Sequence, residues 1–184
     1  DVAGGEPPLA VGHVDEQDAA RLQQRIDTPE EVGNPRQVLQ HLADELMSAE
    51  FVSFLEQLTG IDGLHPDPLF DGGGLHRSER GGYLNIHADY SKHHVHTDWL
   101  RRVNVLLYLN DDWDERWGGH LELWSRDMTT RESTVAPQAN RMVVFSTTST
   151  AYHGHPLPLE CPDGVARKSM ALYYFTEGEH YLPF

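Results

Sequence analysis

The 184-residue chain is short of three things, and each shortage removes a class of function. It has a single cysteine, Cys161, in the loop Glu160-Cys161-Pro162, so no disulfide can form within the chain and dithiol redox chemistry has no second thiol. It is also poor in positive charge: 14 Lys and Arg stand against 29 Asp and Glu, for a formal net charge of -15. Such a surface repels a phosphate backbone or an anionic bilayer, so neither nucleic acid nor membrane is an expected partner. A neutral or basic peptide, or a small molecule steered locally by Arg101 and Arg102, remains allowed. Finally, no apolar run reaches spanning length, and there is no signal-like segment, internal repeat or low-complexity tract. A reducing, cytoplasmic setting is the expectation, and the length fits one domain over 1–184. The first residue is Asp1 rather than methionine, which reads as a chain trimmed at its start.

What the chain does have is a set of donors suited to one metal ion. In an extended strand, side chains at i and i+2 share a side, so His87 and Asp89 can face one ion while Ala88 turns away. A third donor must then come from another strand, and Tyr152-His153-Gly154 supplies one. Two imidazoles and a carboxylate hold one face of a ferrous ion and leave the opposite positions open for oxygen chemistry. His-x-Asp by itself is a weak signal, since a solvated pair of this spacing arises by chance; its surroundings strengthen it.

Those surroundings alternate with period two. Tyr83, Asn85, His87 and Asp89 would share one face, with Leu84, Ile86 and Ala88 on the other. The same pattern runs from Arg102 to Asn110 and from Arg141 to Phe145. Near the end, Arg167, Ser169, Ala171 and Tyr173 would oppose Lys168, Met170, Leu172 and Tyr174, so Arg167 and Ser169 would point together into one cavity. Strands with an apolar outer face and a ligand-rich inner face are how a small barrel lines a reaction space.

The first third reads differently. Residues 1–12 form a polar lead-in, and Ala19, Leu22 and Ile26 have weak helical spacing. A stronger helix begins at the N-cap Asn34 with Pro35 in first position and Val38, Leu39, Leu42 and Leu46 on one face. Ser48 caps the next, with Phe51, Phe54, Leu55 and Leu58 as its buried stripe and Gly60 as its end. Residues 1–60 are thus mostly helical support, and 61–184, with Gly, Pro and Asp punctuating short strands, are the β core.

Several motifs in order resemble the prolyl 4-hydroxylase-like branch of the iron(II) and 2-oxoglutarate dependent dioxygenases. They are Gly72-Gly73-Gly74-Leu75-His76, Gly82 to Asp89, Asn104 to Asn110, Trp117-Gly118-Gly119-His120-Leu121-Glu122-Leu123-Trp124, Asn140 to Phe145, Tyr152-His153-Gly154 and Arg167 to Tyr174. The resemblance implies a mainly β fold: a double-stranded β-helix, or jelly roll, with N-terminal helices on its major sheet. It also implies Fe(2+), 2-oxoglutarate and O2, with ascorbate as an auxiliary reductant. His87, Asp89 and His153 would be the metal ligands, and Arg167 would pair with the distal carboxylate of 2-oxoglutarate, assisted by Ser169 and Tyr108. A planar guanidinium fork suits two-point contact with a carboxylate. Tyr83 and Asn85 join the expected cofactor-binding set through their shared face with His87. The implied reaction is hydroxylation of an unactivated C–H bond in a prolyl residue, an amino acid or an amino-acid-derived metabolite. Asp89 favours this over halogenation, for which the family carries Gly or Ala at that position. Desaturation, cyclisation or epimerisation with the same cofactors, and a non-catalytic binding module, are the alternatives.

Competing readings attach to individual residues. His155 rivals His153 as third ligand, but Pro156 marks a turn and the Tyr-His-Gly context favours His153. His93, His94 and His96 read as a solvated loop rather than a second metal site. Tyr83 is equally well a packed tyrosine. Trp113, Trp117 and Trp124 read as core or rim aromatics, and the loops around 111–119 and 146–150 as the rim that selects substrate.

Overall fold

A computed structural model describes residues 34–89 and 92–178. The expected helix over residues 15–26 lies outside that range. Two helices come first, α1 (Pro35–Leu46) and α2 (Ala49–Thr59). The Asn34 side chain accepts from the Arg36 amide, Ser48 Oγ from the Phe51 amide at 3.2 Å, and Gly60 closes α2 in the left-handed region at φ 67°. These caps satisfy backbone groups that a helix end otherwise leaves open, which is why the boundaries fall where cap chemistry is present.

Nine strands follow among the described residues: β1 (His65–Pro66), β2 (Gly74–Glu79), β3 (Leu84–Ala88), β4 (Trp99–Tyr108), β5 (Leu121–Trp124), β6 (Arg131–Val135), β7 (Arg141–Ser146), β8 (Tyr152–His155) and β9 (Ala166–Glu177). They make two antiparallel sheets. The major sheet runs β1-β9-β4-β7, with β2 also paired to β9, and the minor sheet runs β3-β8-β5-β6. This is the jelly-roll arrangement of two facing sheets with helices outside the major one.

Alternation along the central strands divides the interior into two layers. Val103, Val105 and Leu107 of β4, Val144 of β7, and Met170, Leu172 and Tyr174 of β9 pack outward against Leu46, Leu55 and Leu64. The residues between them turn the other way: Tyr108, Val143 and Phe145 meet Leu121 and Leu123 between the sheets. Tyr174 is fully buried in the outer layer and donates its hydroxyl to the Leu46 carbonyl at 2.6 Å, fastening the end of α1 to β9. Burial without a charged partner pushes its phenol upward, so it stays protonated as a donor.

The helix faces sit slightly rotated from the expected stripes. Val38 and Phe54 are exposed, whereas Ala43 is buried and Val52 packs against the core. At 100° per residue, a modest change in docking angle exchanges neighbouring positions on a stripe. No helix of the described residues is long and apolar enough to cross a membrane.

Candidate active site

Strand β3, the loop that follows it and strand β8 bring His87, Asp89 and His153 together. One ligand atom from each lies within 4.8 Å of the others. His87 Nε2 is 3.4 Å from Asp89 Oδ1, and His153 Nε2 is 3.4 Å from Asp89 Oδ2, with the two imidazole centroids 4.5 Å apart. The register explains this convergence: His87 lies directly opposite His153 in the β3/β8 ladder.

Each imidazole is held by the backbone two residues earlier. His87 Nδ1 donates to the Asn85 carbonyl at 2.8 Å and His153 Nδ1 to the Ala151 carbonyl at 2.9 Å. A proton fixed on Nδ1 leaves Nε2 bare, the tautomer required for coordination. The donor set therefore fits a divalent metal: two oriented imidazoles and one carboxylate on one side, as in mononuclear non-haem iron sites.

Asp89 is braced from the major sheet. Its Oδ2 accepts from Asn104 Nδ2 at 2.8 Å and lies 3.1 Å from Arg101 Nη1, whose guanidinium also stacks on Tyr173. Burial opposes its charge, but the close His153 and His87 rings and the Asn104 amide outweigh that and hold the carboxyl far below its ordinary range. Asn104 was not among the expected site residues. Its position on the same face of β4 as Tyr108 was the available signal.

Arg167 lies elsewhere in the same inter-sheet space. It is buried, donates from Nε to the Gly119 carbonyl at 2.8 Å and from Nη2 to Tyr108 Oη at 3.1 Å, and pairs with no carboxylate among the described residues. Burial lowers its proton affinity, with Tyr108 opposing. A buried guanidinium without a counter-ion is costly unless an anion completes it. Ser169 is buried two residues on, directly opposite Tyr108 in the β4/β9 register.

Other expectations are corrected. Tyr83 and Asn85 are exposed, and the β3/β8 register shifts between Leu84 and His87, so the assumed alternation breaks before it reaches them. Asn85 contributes its carbonyl to His87 rather than an inward side chain. His155 is no turn residue: it is buried in β8, and burial, helped by the Arg167 charge, pushes its imidazole down to about 4. His93 is not solvated. It is buried 3.2 Å from Asp67 and packs on Trp99 and Phe175, while His94 stays exposed beside Asp71. Arg102 is buried against Thr176 instead of lining an open approach.

A two-sheet jelly roll with paired imidazoles and a carboxylate turned inward defines a mononuclear metal enzyme class. The family model described as 2OG-Fe(II) oxygenase superfamily matches residues 73–175, and the chain belongs to that superfamily. It is a 2-oxoglutarate dependent oxygenase, a class that works with ferrous iron, 2-oxoglutarate and O2. No curated protein matches it in sequence. Among solved structures it is similar to a prolyl 4-hydroxylase from Phytophthora capsici, with 22% identity over 89% of this chain and 53% of that one, at a TM-score of 0.53. It thus spans about half the length of that structure. A viral collagen prolyl hydroxylase from Paramecium Bursaria Chlorella virus-1, solved with 2OG, is 12% identical over 94% of this chain and 97% of that one, with a TM-score of 0.51. A Pseudomonas putida prolyl-4-hydroxylase is 21% identical over 90% and 79%, with a TM-score of 0.47. At these identities the likeness concerns the fold.

Proposed function

We propose that the chain hydroxylates an unactivated C–H bond of a prolyl residue, an amino acid or an amino-acid-derived metabolite, with His87, Asp89 and His153 as iron ligands and Arg167 as the anchor of 2-oxoglutarate. The observation that carries the reading is the pairing of a three-donor cluster with a buried guanidinium that lacks a carboxylate, both facing one inter-sheet space. A five-carbon keto diacid is the ligand that such a pair suits, with one end for the metal and the other for Arg167. Iron held here would supply the oxidising power to put one oxygen atom of O2 into substrate while the keto acid becomes succinate and CO2.

The chain's own residues supply position and charge. His87 and His153 present bare Nε2 atoms because carbonyls hold their other nitrogens. Asn104 and Arg101 fix the rotamer of Asp89, which keeps a carboxylate at the third ligand position. Arg167, with Tyr108 and Ser169 beside it, offers donors to the distal carboxylate and sets which keto acid fits. The net charge of -15 supports a neutral or basic substrate, and ascorbate would serve only as an auxiliary reductant.

The test is succinate formation from 2-oxoglutarate with ferrous iron in air, across proline-containing peptides and free amino acids, with ¹⁸O2 traced into product. Asp89→Ala is expected to lose bound iron and turnover together. A purified chain that binds neither iron nor keto acid at pH 7 overturns the reading.

A further inference from the structure

Strand β4 carries an inserted residue where it passes the metal-ligand cluster. Val103 opposes Tyr174 and Arg101 opposes Phe175, so Arg102 is the extra residue of a bulge against β9. Strict alternation would turn Arg101 to the helix side with Val103, Val105 and Leu107. The bulge instead returns it to the inner side with Asn104, the kind of re-aiming that bulges beside active sites perform. There the guanidinium lies 3.1 Å from Asp89 Oδ2, backed by the Tyr173 ring with its centroid 3.8 Å away.

The consequence is one of charge. His87 and His153 are neutral when they offer Nε2, so Asp89 brings the only negative charge of the three-donor cluster. Arg101 cancels it, and among the described residues Asp89 is the one carboxylate within ion-pair distance of that guanidinium. Holding the Asp89 rotamer does not require a second cation, because the neutral Asn104 amide already grips the same oxygen at 2.8 Å. Arg101 therefore adds something that a brace does not need: a fixed positive charge behind the carboxylate. Both side chains are largely sheltered from solvent, where charges act on one another several times more strongly than in bulk water. A divalent ion approaching this cluster meets donors whose net charge is already balanced.

We propose that Arg101 weakens the affinity of the triad for a divalent ion by itself and leaves the missing negative charge to the dianionic keto acid, so that metal and cosubstrate bind cooperatively. The assignment rests on the reading of the pocket given above. Arg101 acts through Asp89, as a positioning residue for charge. The coupling is reciprocal: whatever factor the keto acid adds to metal affinity, the metal adds to keto-acid affinity.

The experiment titrates the chain with Mn(II) in the absence of oxygen, with free Mn(II) counted by electron paramagnetic resonance, with and without saturating 2-oxoglutarate. Arg101→Gln is expected to bind Mn(II) alone at least about tenfold more tightly than wild type, and 2-oxoglutarate should shrink that advantage to within about threefold. Arg101→Lys, which keeps the charge without the planar fork, should stay within about threefold of wild type in both conditions. Equal or weaker Mn(II) binding by Arg101→Gln overturns the proposal, since a brace alone would give that sign, and an advantage that 2-oxoglutarate leaves undiminished overturns it as well. Should Arg101→Gln fold poorly, Arg101→Lys decides: a tenfold change in either direction assigns the part of Arg101 to its shape and not its charge. Wild-type chain that binds no Mn(II) at all would instead remove the metal-site reading, and this assignment with it.

Discussion

Arg167 passes so close to Gly119 that a Cβ at residue 119 would lie 3.0 Å from the Arg167 Cδ and 2.6 Å from a Leu159 methyl. Gly119 also has φ +72°, a region that other residues enter with strain. Its carbonyl, meanwhile, receives the Arg167 Nε. Glycine here therefore permits the guanidinium to lie where it does.

Gly119→Ala is expected to displace Arg167 and raise the KM for 2-oxoglutarate by roughly tenfold or more, with metal affinity nearly unchanged. A displacement of about an ångström at a positioned group commonly has an effect of that size. Steady-state kinetics alongside a metal titration separates the two.

Gly154→Ala should do the opposite. A Cβ at Gly154 would sit 2.7 Å from the Asn85 carbonyl oxygen and 2.8 Å from that of Leu84, both backbone atoms that cannot swing aside. Strand β3 must then separate from β8, taking His87 away from His153. Metal affinity should fall at least about tenfold while the circular dichroism stays β-rich; unchanged affinity would show that the ladder tolerates the methyl.

The face assignment of β9 was legible from the sequence because period two needs no partner: Met170, Leu172 and Tyr174 face the helices, and Arg167 and Ser169 share the other side. The caps Asn34, Ser48 and Gly60 were legible because capping is local chemistry. Tyr83 and Asn85 were not, since the irregularity in β3 arises where it meets β8, information absent from its own residues. His93 failed for the same reason. Its burial depends on Asp67, which belongs to a different loop. The convergence of His87, Asp89 and His153 was readable as spacing, but the support from Asn104 and Arg101 required the facing sheet.

Tyr174→Phe tests the fastening of the helices. Removing the hydroxyl leaves the buried Leu46 carbonyl without its donor, which should cost roughly 1–3 kcal/mol of stability in a denaturant titration. Because Tyr174 faces the helices, metal and keto-acid binding should be unaltered.

His65 gives the chain a pH-sensitive element outside the triad. Its imidazole packs edge-on against Trp99 with Nε2 buried and unpartnered, and burial lowers its proton affinity below the ordinary 6.5. In the window just below pH 6.5 the unfolded chain takes up a proton that the native chain refuses, so stability falls as pH decreases through that window. Thermal midpoints measured from pH 7.5 to 5 should drop less steeply in His65→Phe than in wild type. Parallel slopes would assign the acid sensitivity to other groups.

The bracing of Asp89 reaches across the molecule, from the loop after a minor-sheet strand to Asn104 and Arg101 on the major sheet. An ion seated on Asp89 and the two histidines would act as a rivet through both layers, so occupancy and cooperative unfolding become a single equilibrium. A ligand at a hundredfold excess over its dissociation constant raises the unfolding free energy by about 2.7 kcal/mol. Chelation should accordingly loosen the mouth of the barrel and lower the melting point, while the layer between the helices and the major sheet holds its packing.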